Sequence, residues 1–172
     1  MTKAGIIMNT RISDILLKML EESHGDLHDI EHFLKVYAYA KTIGEQEALD
    51  KDALFVLEAA AIVHDIACPL CREKYGKAEG HLQEIEGGPL TEAFFLCFAL
   101  PEDIVQRIVW LVSHHHTYSS VELTEHRILL EADFLVNASE SCYSPEQIKA
   151  AKRSFFRTKT GIGLLDSLYN VE

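Results

Sequence analysis

The sequence has no block of basic residues. Its 172 residues include 16 Lys and Arg against 27 Asp and Glu, which gives a formal net charge of -11 at pH 7. Proteins that bind long nucleic acids cluster Lys and Arg against the phosphate backbone. The composition therefore argues against a long nucleic acid as a partner. It still permits a small anionic substrate, because a bound divalent metal can invert the local potential inside an acidic protein.

Long apolar runs and matched cysteine pairs are also scarce. No window of the sequence reaches the roughly 18 apolar residues that a membrane span needs, and no small-residue cleavage site follows the short apolar patch Gly5–Met8. Cys97 and Cys142 fall in apolar helical patterns, where free thiols are commonly buried. No second pair accompanies Cys68 and Cys71, as a zinc site would require. We therefore expect a cytoplasmic protein without membrane association or structural zinc.

Apolar residues recur at helical spacing along most of the chain, and no convincing stretch alternates as a strand does. The pattern predicts an all-α, single-domain helical bundle over residues 1–172, large enough to bury a core without a structural metal. Pro89, Pro101 and Pro145 are expected to begin helices, and Pro69 to end one. The glycine-rich stretch 67–88 is predicted to be a loop over a site. The predicted helices are Ile12–Ser23, Leu27–Ile43, Lys51–Ile66, Pro89–Ala99, Pro101–His116, Thr124–Ser139, Pro145–Phe156 and a short one near Ile162–Leu168.

Histidine is the most informative residue type, because many of the nine histidines interrupt apolar helical patterns. The segment DALFVLEAAAIVHDIA predicts a central helix whose last turn delivers His64 and Asp65 into the core. Burying a charged carboxylate costs several kcal/mol unless it is paired or coordinated, and a metal ion would satisfy both residues. The alternative is an exposed Asp65 at a frayed helix end beside a hydrogen-bonded core His64, since His-Asp pairs recur by chance.

Two further predicted helices carry residues of the same kind. His32 lies at the edge of an apolar stripe, whereas His28 on the same helix face is expected to be more exposed. Asp133 lies among the apolar residues of ILLEADFLVNASE and needs a partner, for which Arg127 is the alternative to a metal. Such ligands suit a divalent first-row metal with open positions for water and substrate. The predicted primary ligands are His32, His64, Asp65 and Asp133.

The order of these residues resembles the HD-domain superfamily of metal-dependent phosphohydrolases. HDIEHFLKV is similar to that family's opening motif, AAAIVHDIA to its defining doublet and LLEADFLVN to its closing aspartate segment, together covering residues 28–137. The resemblance implies an HD-type fold and attack of metal-activated water on a small phosphate ester or nucleotide. It assigns Asp65 a catalytic role as the bridging or anchoring ligand. The implied cofactor is one or two divalent ions, with Mn, Fe, Ni, Co, Zn and Mg all compatible.

Some members of that superfamily hold a second metal through two further histidines between the doublet and the last aspartate. His81 lies in the glycine-rich stretch, and His114, His115 and His116 end the segment PEDIVQRIVWLVS. The inward stripe of that predicted helix continues onto His115 and His116, while His114 follows the outer polar row. We therefore expect His81, His115 and His116 as ligands and His114 in solvent. The alternatives are a histidine run that only complements the helix dipole and an exposed loop histidine at 81.

Several roles stay open at the level of sequence. Lys35 and Arg72 are candidate contacts for phosphate oxygens or ordinary surface charges. The segment FFRTKTGIG either closes over the site or links two helices. The same motif also fits an HD-type di-iron oxygenase and a non-catalytic nucleotide-binding regulatory module. The sequence leaves the oligomeric state open.

Overall fold

The computed structural model describes residues 10–119 and 121–171, and in them it contains nine α-helices and no strand. The predicted all-α fold class is thereby confirmed for the described residues. The helices are α1 (Ile12–Glu22), α2 (Leu27–Gln46), α3 (Lys51–Val63), α4 (Cys68–Tyr75), α5 (Gly80–Phe95), α6 (Glu102–Val112), α7 (Thr124–Glu140), α8 (Pro145–Ser154) and α9 (Lys159–Tyr169).

Helix α3 forms the centre of the molecule. All residues from Val56 to Val63 are buried, and the helix packs against α1, α2, α6 and α7. A helix that is apolar on every side is stable only when other elements surround it. Its N-terminus is capped by Asp50, whose carboxylate accepts a hydrogen bond of 2.8 Å from the Ala53 N–H. The C-terminal end of α3, at His64, therefore lies deep inside the bundle.

The apolar stretch Lys51–Tyr75 corrects one expectation. By length and composition it could cross a membrane, with a mean hydropathy of 1.8 in its most apolar window, although no such window was expected. However, 67% of that window is buried inside the fold. The stretch also breaks after Val63 into α3 and α4. Core helices of soluble proteins meet the same criteria, because they too must be apolar on all sides.

The first half of the predicted loop 67–88 is the helix α4. Pro69 does not end the preceding helix but lies in the first turn of α4, where its missing N–H costs no hydrogen bond. Gly76 then ends α4 in the left-handed conformation, with φ +72°. The loop prediction was wrong here because proline and glycine act as boundary residues of a short helix.

The second half of the same stretch belongs to α5. Pro89 lies inside this helix and does not begin it. Gly87 and Gly88 face α6: an added Cβ would lie 3.0 Å from Val112 Cγ1 at the first glycine and 2.7 Å from Ser113 Oγ at the second. These glycines therefore mark a close approach of two helices and not a flexible loop.

Helix α6 is shorter than predicted, since it ends at Val112 and not at His116. The His114 N–H bonds to the Leu111 carbonyl, three residues back, which is the tighter 3₁₀ geometry common in a last turn. Pro101 occupies the N-cap position of α6 and not its first turn. Pro145, by contrast, begins α8 as expected.

The burial expected for two cysteines was also wrong. Cys97 and Cys142 are exposed, because they follow the last residues of α5 and α7, whereas Cys68 and Cys71 are buried within α4. Among the described residues, neither group of side chains that could hold a metal ion includes a cysteine.

The segment FFRTKTGIG links α8 to α9 and is fastened to the core. The backbone N–H groups of Arg157 and Thr158 donate to Glu131 Oε1 at 2.7 and 3.0 Å. Thr160 donates from its N–H and its hydroxyl to Glu47 Oε1 at 2.8 and 2.7 Å. Burial raises the pKa of Glu131, although the hydrogen bonds from Thr158 and Arg157 oppose the shift. Of the two roles left open by the sequence, the linking role is the one these contacts describe.

Candidate metal centre

Four side chains from α2, the end of α3 and α7 meet in the middle of the bundle. His32 Nε2 lies 3.2 Å from His64 Nε2, 3.2 Å from Asp133 Oδ1 and 3.4 Å from Asp65 Oδ2. His64 Nε2 lies 3.6 Å from Asp65 Oδ1 and from Asp133 Oδ1. The two nitrogens and the carboxylate oxygens thus face a common point, which matches the donor set expected for a divalent transition metal.

Among the described residues, no Lys or Arg forms an ion pair with these four side chains, and the histidines balance the charge of the two carboxylates. Burial opposes a charge on Asp65, but His64 and His115 hold the pKa of its carboxyl well below the usual range. Burial likewise opposes a charge on Asp133, whose pKa is lowered by the facing rings of His32 and His64. Burial would also depress the pKa of His32, yet the facing carboxylates raise it to about 9. The cluster therefore requires positive charge, which protons supply in the metal-free protein.

A separate acceptor orients each of three histidine rings. His64 donates from Nδ1 to the Ala61 carbonyl at 2.9 Å, and His115 donates from Nδ1 to the Val112 carbonyl at 2.6 Å. In both rings this leaves Nε2 on the side of the cluster, where it can bind an ion once it carries no proton. Partners of this kind fix the tautomer and the ring orientation that a metal ligand needs.

The acceptor for the third ring is Glu140, which the sequence analysis missed. Glu140 Oε2 lies 2.8 Å from His32 Nδ1, and its other oxygen accepts a hydrogen bond of 3.0 Å from Lys35. Asn137 donates to Asp133 Oδ1 at 2.8 Å. Positions 133, 137 and 140 share one face of α7, because four and seven residues are close to one and two helical turns. That spacing from Asp133 was the available signal.

A second group of side chains shares Asp65 with the first. Asp65, His115 and His116 offer ligand atoms within 4.8 Å of one another, and His115 Nε2 lies 3.4 Å from Asp65 Oδ1. The Nε2 atoms of both histidines are buried and have no hydrogen-bond partner among the described residues. A buried nitrogen without a partner costs free energy, so each is a ready donor atom for an ion. The residues present therefore fit a second metal beside the first.

The ring of His116 has two distinguishing features. Burial and the neighbouring His115 lower its pKa to about 4, which keeps the imidazole neutral, as a metal ligand must be. The ring also lies where a side chain on Gly80 would be, since an added Cβ there would come within 2.6 Å of His116 Cγ. Close contact with the first turn of α5 thus holds this ring in place.

The remaining candidate residues lie apart from both groups. His114 stacks on Trp110 at 4.3 Å, as expected of a ring outside the cluster. The side chain of His28 is 78% exposed. His81 is 66% exposed and lies 3.6 Å from Glu79, so among the described residues it joins neither ligand group. The structure brings together six of the seven predicted ligands and leaves His81 outside.

The two candidate phosphate contacts are both paired with carboxylates. Lys35 bonds to Glu140, and Arg72 forms an ion pair with Asp29 and a longer one of 3.6 Å with Asp26. Arg72 is the nearer of the two to Asp65 in the chain, on the helix that follows it.

Comparisons with known proteins decide the family. The model of the HD domain matches residues 29–138, more than half of the chain. This chain belongs to the HD-domain family. Membership confirms the resemblance in the sequence and identifies the protein as one of a superfamily of metal-dependent hydrolases. The matched range contains both ligand groups.

One solved structure agrees with this HD-domain assignment. It is a predicted HD superfamily hydrolase from an uncultured Thermotogales bacterium, with a TM-score of 0.67 and 21% sequence identity over 92% of this chain and 84% of that chain. At this identity the likeness shows the fold. No curated protein matches the sequence significantly.

Proposed function

We propose that this HD-domain protein is a phosphohydrolase that cleaves a small phosphate ester or nucleotide with metal-activated water. The observation that carries the proposal is the pair of ligand groups joined at Asp65, beside which lie buried histidine nitrogens that have no hydrogen-bond partner in the described part of the chain. Mn, Fe, Co, Ni or Zn suits this His and Asp donor set, and Mg is also compatible. The chemistry supplied by such ions would be Lewis acidity, which activates water for attack on phosphorus at neutral pH.

The side chains of this chain divide the work in that reaction. Asp65 is shared by both ligand groups and so would set the distance between them. With Asp65, the residues His32, His64 and Asp133 would hold one ion. His115 and His116 would hold the other, again with Asp65. Neutral imidazoles would bind the ions without adding negative charge, which would leave net positive potential for a phosphate. Arg72 and Lys35 remain proposed phosphate contacts, and each must first release its carboxylate partner.

The domain organisation and the compartment of the protein follow the same assignment. We infer a single HD-type domain over residues 1–172 that acts in the cytoplasm on a phosphorylated small molecule. Buried Cys68 and Cys71 lie free in α4, as thiols do in a reducing compartment.

The test combines metal analysis with activity assays. Protein purified without chelators should contain a divalent transition metal and release phosphate from members of a panel of phosphomonoesters, nucleotides and cyclic nucleotides. The rate should be the same in air and under argon, because hydrolysis consumes water and no oxygen. Dependence on oxygen would identify a di-iron oxygenase instead. Bound nucleotide without turnover would identify a regulatory module.

A further inference from the structure

A cavity of about 400 Å³ lies beside Asp65. That volume is within the range of small-molecule sites, roughly 300–1,000 Å³. The cavity lies between α1, α2, α4 and α5. Its wall is mainly apolar and includes Met19, Phe33, Ile66, Leu70, Leu90 and Phe94.

Asp65 connects this cavity to the metal centre. It lines the cavity and belongs to both ligand groups. Its side chain is 24% exposed, whereas those of His32, His64 and Asp133 are at most 7% exposed. The metal centre is therefore open on the side of Asp65, where a molecule in the cavity would present one end to the ions.

The polar side chains that line the cavity provide little positive charge for binding an anion. Glu22, His24 and Asp29 contribute to its lining, and no Lys or Arg does so among the described residues. Two cations are already paired with these carboxylates: Lys18 with Glu22 at 2.5 Å, and Arg72 with Asp29. An anionic group placed in the cavity would therefore meet carboxylates and an apolar wall, at a cost in desolvation.

We propose that this cavity binds the leaving group of the substrate, and that the substrate is a monophosphate ester of an apolar alcohol with no second anionic group. The proposal rests on the proposed function. In the reaction, water forms a new P–O bond and the ester P–O bond breaks. The departing oxygen keeps the bonding electron pair and takes up a proton from water, which releases inorganic phosphate and the alcohol. The apolar wall would hold that alcohol, and the missing cations would exclude polyphosphates and other polyanions.

The first experiment compares matched esters on the metal-loaded protein. Benzyl phosphate and its para-carboxylated analogue have similar leaving groups and differ by one negative charge. The leaving group of glycerol phosphate is also an alcohol, but a polar one. We expect kcat/KM for benzyl phosphate to exceed both others about tenfold or more, as the burial of an aromatic ring in an apolar pocket would give. Equal or higher kcat/KM for the charged or polar ester would overturn the proposal.

The second experiment fills the cavity. Ala93 lines it but is exposed on α5, so Ala93→Trp should fold, and Ala150→Trp on the exposed face of α8 is the matched control. Ala93→Trp should lower kcat/KM for benzyl phosphate about tenfold with unchanged metal content, while the control stays near wild type. Calorimetric titration with 2-naphthol, which has no phosphate, should detect binding to the wild type and the control but not to Ala93→Trp.

The third experiment changes the charge at the cavity. Glu22→Lys replaces a carboxylate that lines it by a cation. The preference for benzyl phosphate over the carboxylated ester, measured as the ratio of their kcat/KM values, should fall about fivefold, since an opposite charge near the ester's carboxylate now attracts it. No change in that ratio would contradict the assignment of Glu22 to the substrate site.

The outcomes separate the two proposals. Hydrolysis that favours polyanions and is indifferent to Ala93→Trp would overturn the leaving-group site and leave the phosphohydrolase in place. Binding of 2-naphthol without hydrolysis of any ester would overturn the phosphohydrolase, and the leaving-group role would fall with it.

Discussion

The two ligand groups share Asp65 but are built differently. The first group stands on α2, α7 and the end of α3, and two of its residues are further held by Glu140 and Asn137. The second group adds His115 and His116 from the turn that follows α6, and within residues 10–119 and 121–171 both Nε2 atoms lack a hydrogen-bond partner. Helices packed on several sides fix the first group, whereas the second depends on one turn and its contact with α5. The comparison predicts a tight first metal site and a weaker second one.

Removing a ligand of the first group should have the largest effect. His64→Ala should lower phosphate release about 100-fold or more, because it removes a coordinating nitrogen at the centre of the fold. The helical circular dichroism spectrum should stay unchanged. His28→Ala is the control, since that side chain is 78% exposed and should leave the rate near wild type. Full metal content in the His64→Ala variant would disprove the first group.

Removing a ligand of the second group should have a smaller effect. His115→Ala or His116→Ala should lower metal occupancy or kcat/KM about tenfold or more, equivalent to about 1.4 kcal/mol. His114→Ala is the matched control in the same turn, because its ring stacks on Trp110 outside the group. If His114→Ala lowered occupancy or activity while His115→Ala and His116→Ala stayed near wild type, the second group would have to be assigned to His114.

Replacing Glu140, the carboxylate that accepts from His32, should have a moderate effect on metal binding. Glu140→Gln keeps the shape of the side chain but weakens the hydrogen bond to His32 Nδ1, which is 2.8 Å long in the wild-type structure. Metal affinity should fall about tenfold, as it commonly does when such a partner is lost. Glu146→Gln, at an exposed position of α8, is the control. Titration with a competing chelator measures the affinity, and an unchanged Kd would show that Glu140 has only a structural role.

The last prediction concerns how the stability of the metal-free protein depends on pH. The pKa of His32 is raised from 6.5 to about 9 by the facing carboxylates. A raised pKa stabilises the folded state fully below pH 6.5, and the stabilisation is lost as the pH rises through about 9. The loss should be at most about 3.5 kcal/mol, since the pKa rises from 6.5 to about 9 and one pKa unit corresponds to about 1.4 kcal/mol.

Urea unfolding at pH 6.5 and at pH 9 measures this difference. The metal-loaded protein should show a smaller decrease, because the ions replace the protons that balance the carboxylates. In the metal-free protein, His32→Gln should flatten the decrease. A decrease as large in this variant as in the wild type would assign the titration to other groups.

Much of the site could be predicted from sequence because its residues conflict with their surroundings. His64 and Asp65 end an apolar helix that must be buried, and Asp133 interrupts an apolar face, so periodicity predicts their approach to the core, although it left an exposed Asp65 and an Arg127 partner for Asp133 as alternatives. The periodicity also predicted that His115 and His116 point the same way, and they do so although α6 ends at Val112, because the Ser113 N–H still bonds to the Val109 carbonyl and continues the right-handed turn.

The remainder of the site depends on packing that one sequence does not reveal. Gly87 and Gly88 suggested a loop, but they allow two helices to approach closely. The loop prediction had placed His81 over the site, whereas α5 puts it on an exposed first turn. Glu140 was missed because an acidic residue at a helix end is ordinary until the neighbouring helix brings His32 to it.

Counting ions in three proteins tests the shared role of Asp65 most directly. Mass spectrometry of protein purified without chelators should find about two ions per chain in the wild type, about one in His116→Ala and close to none in Asp65→Ala, since coordinated ions are lost with their ligands. All three should remain helical and soluble. Asp65→Ala with the ion content of the wild type would contradict a centre built around this carboxylate.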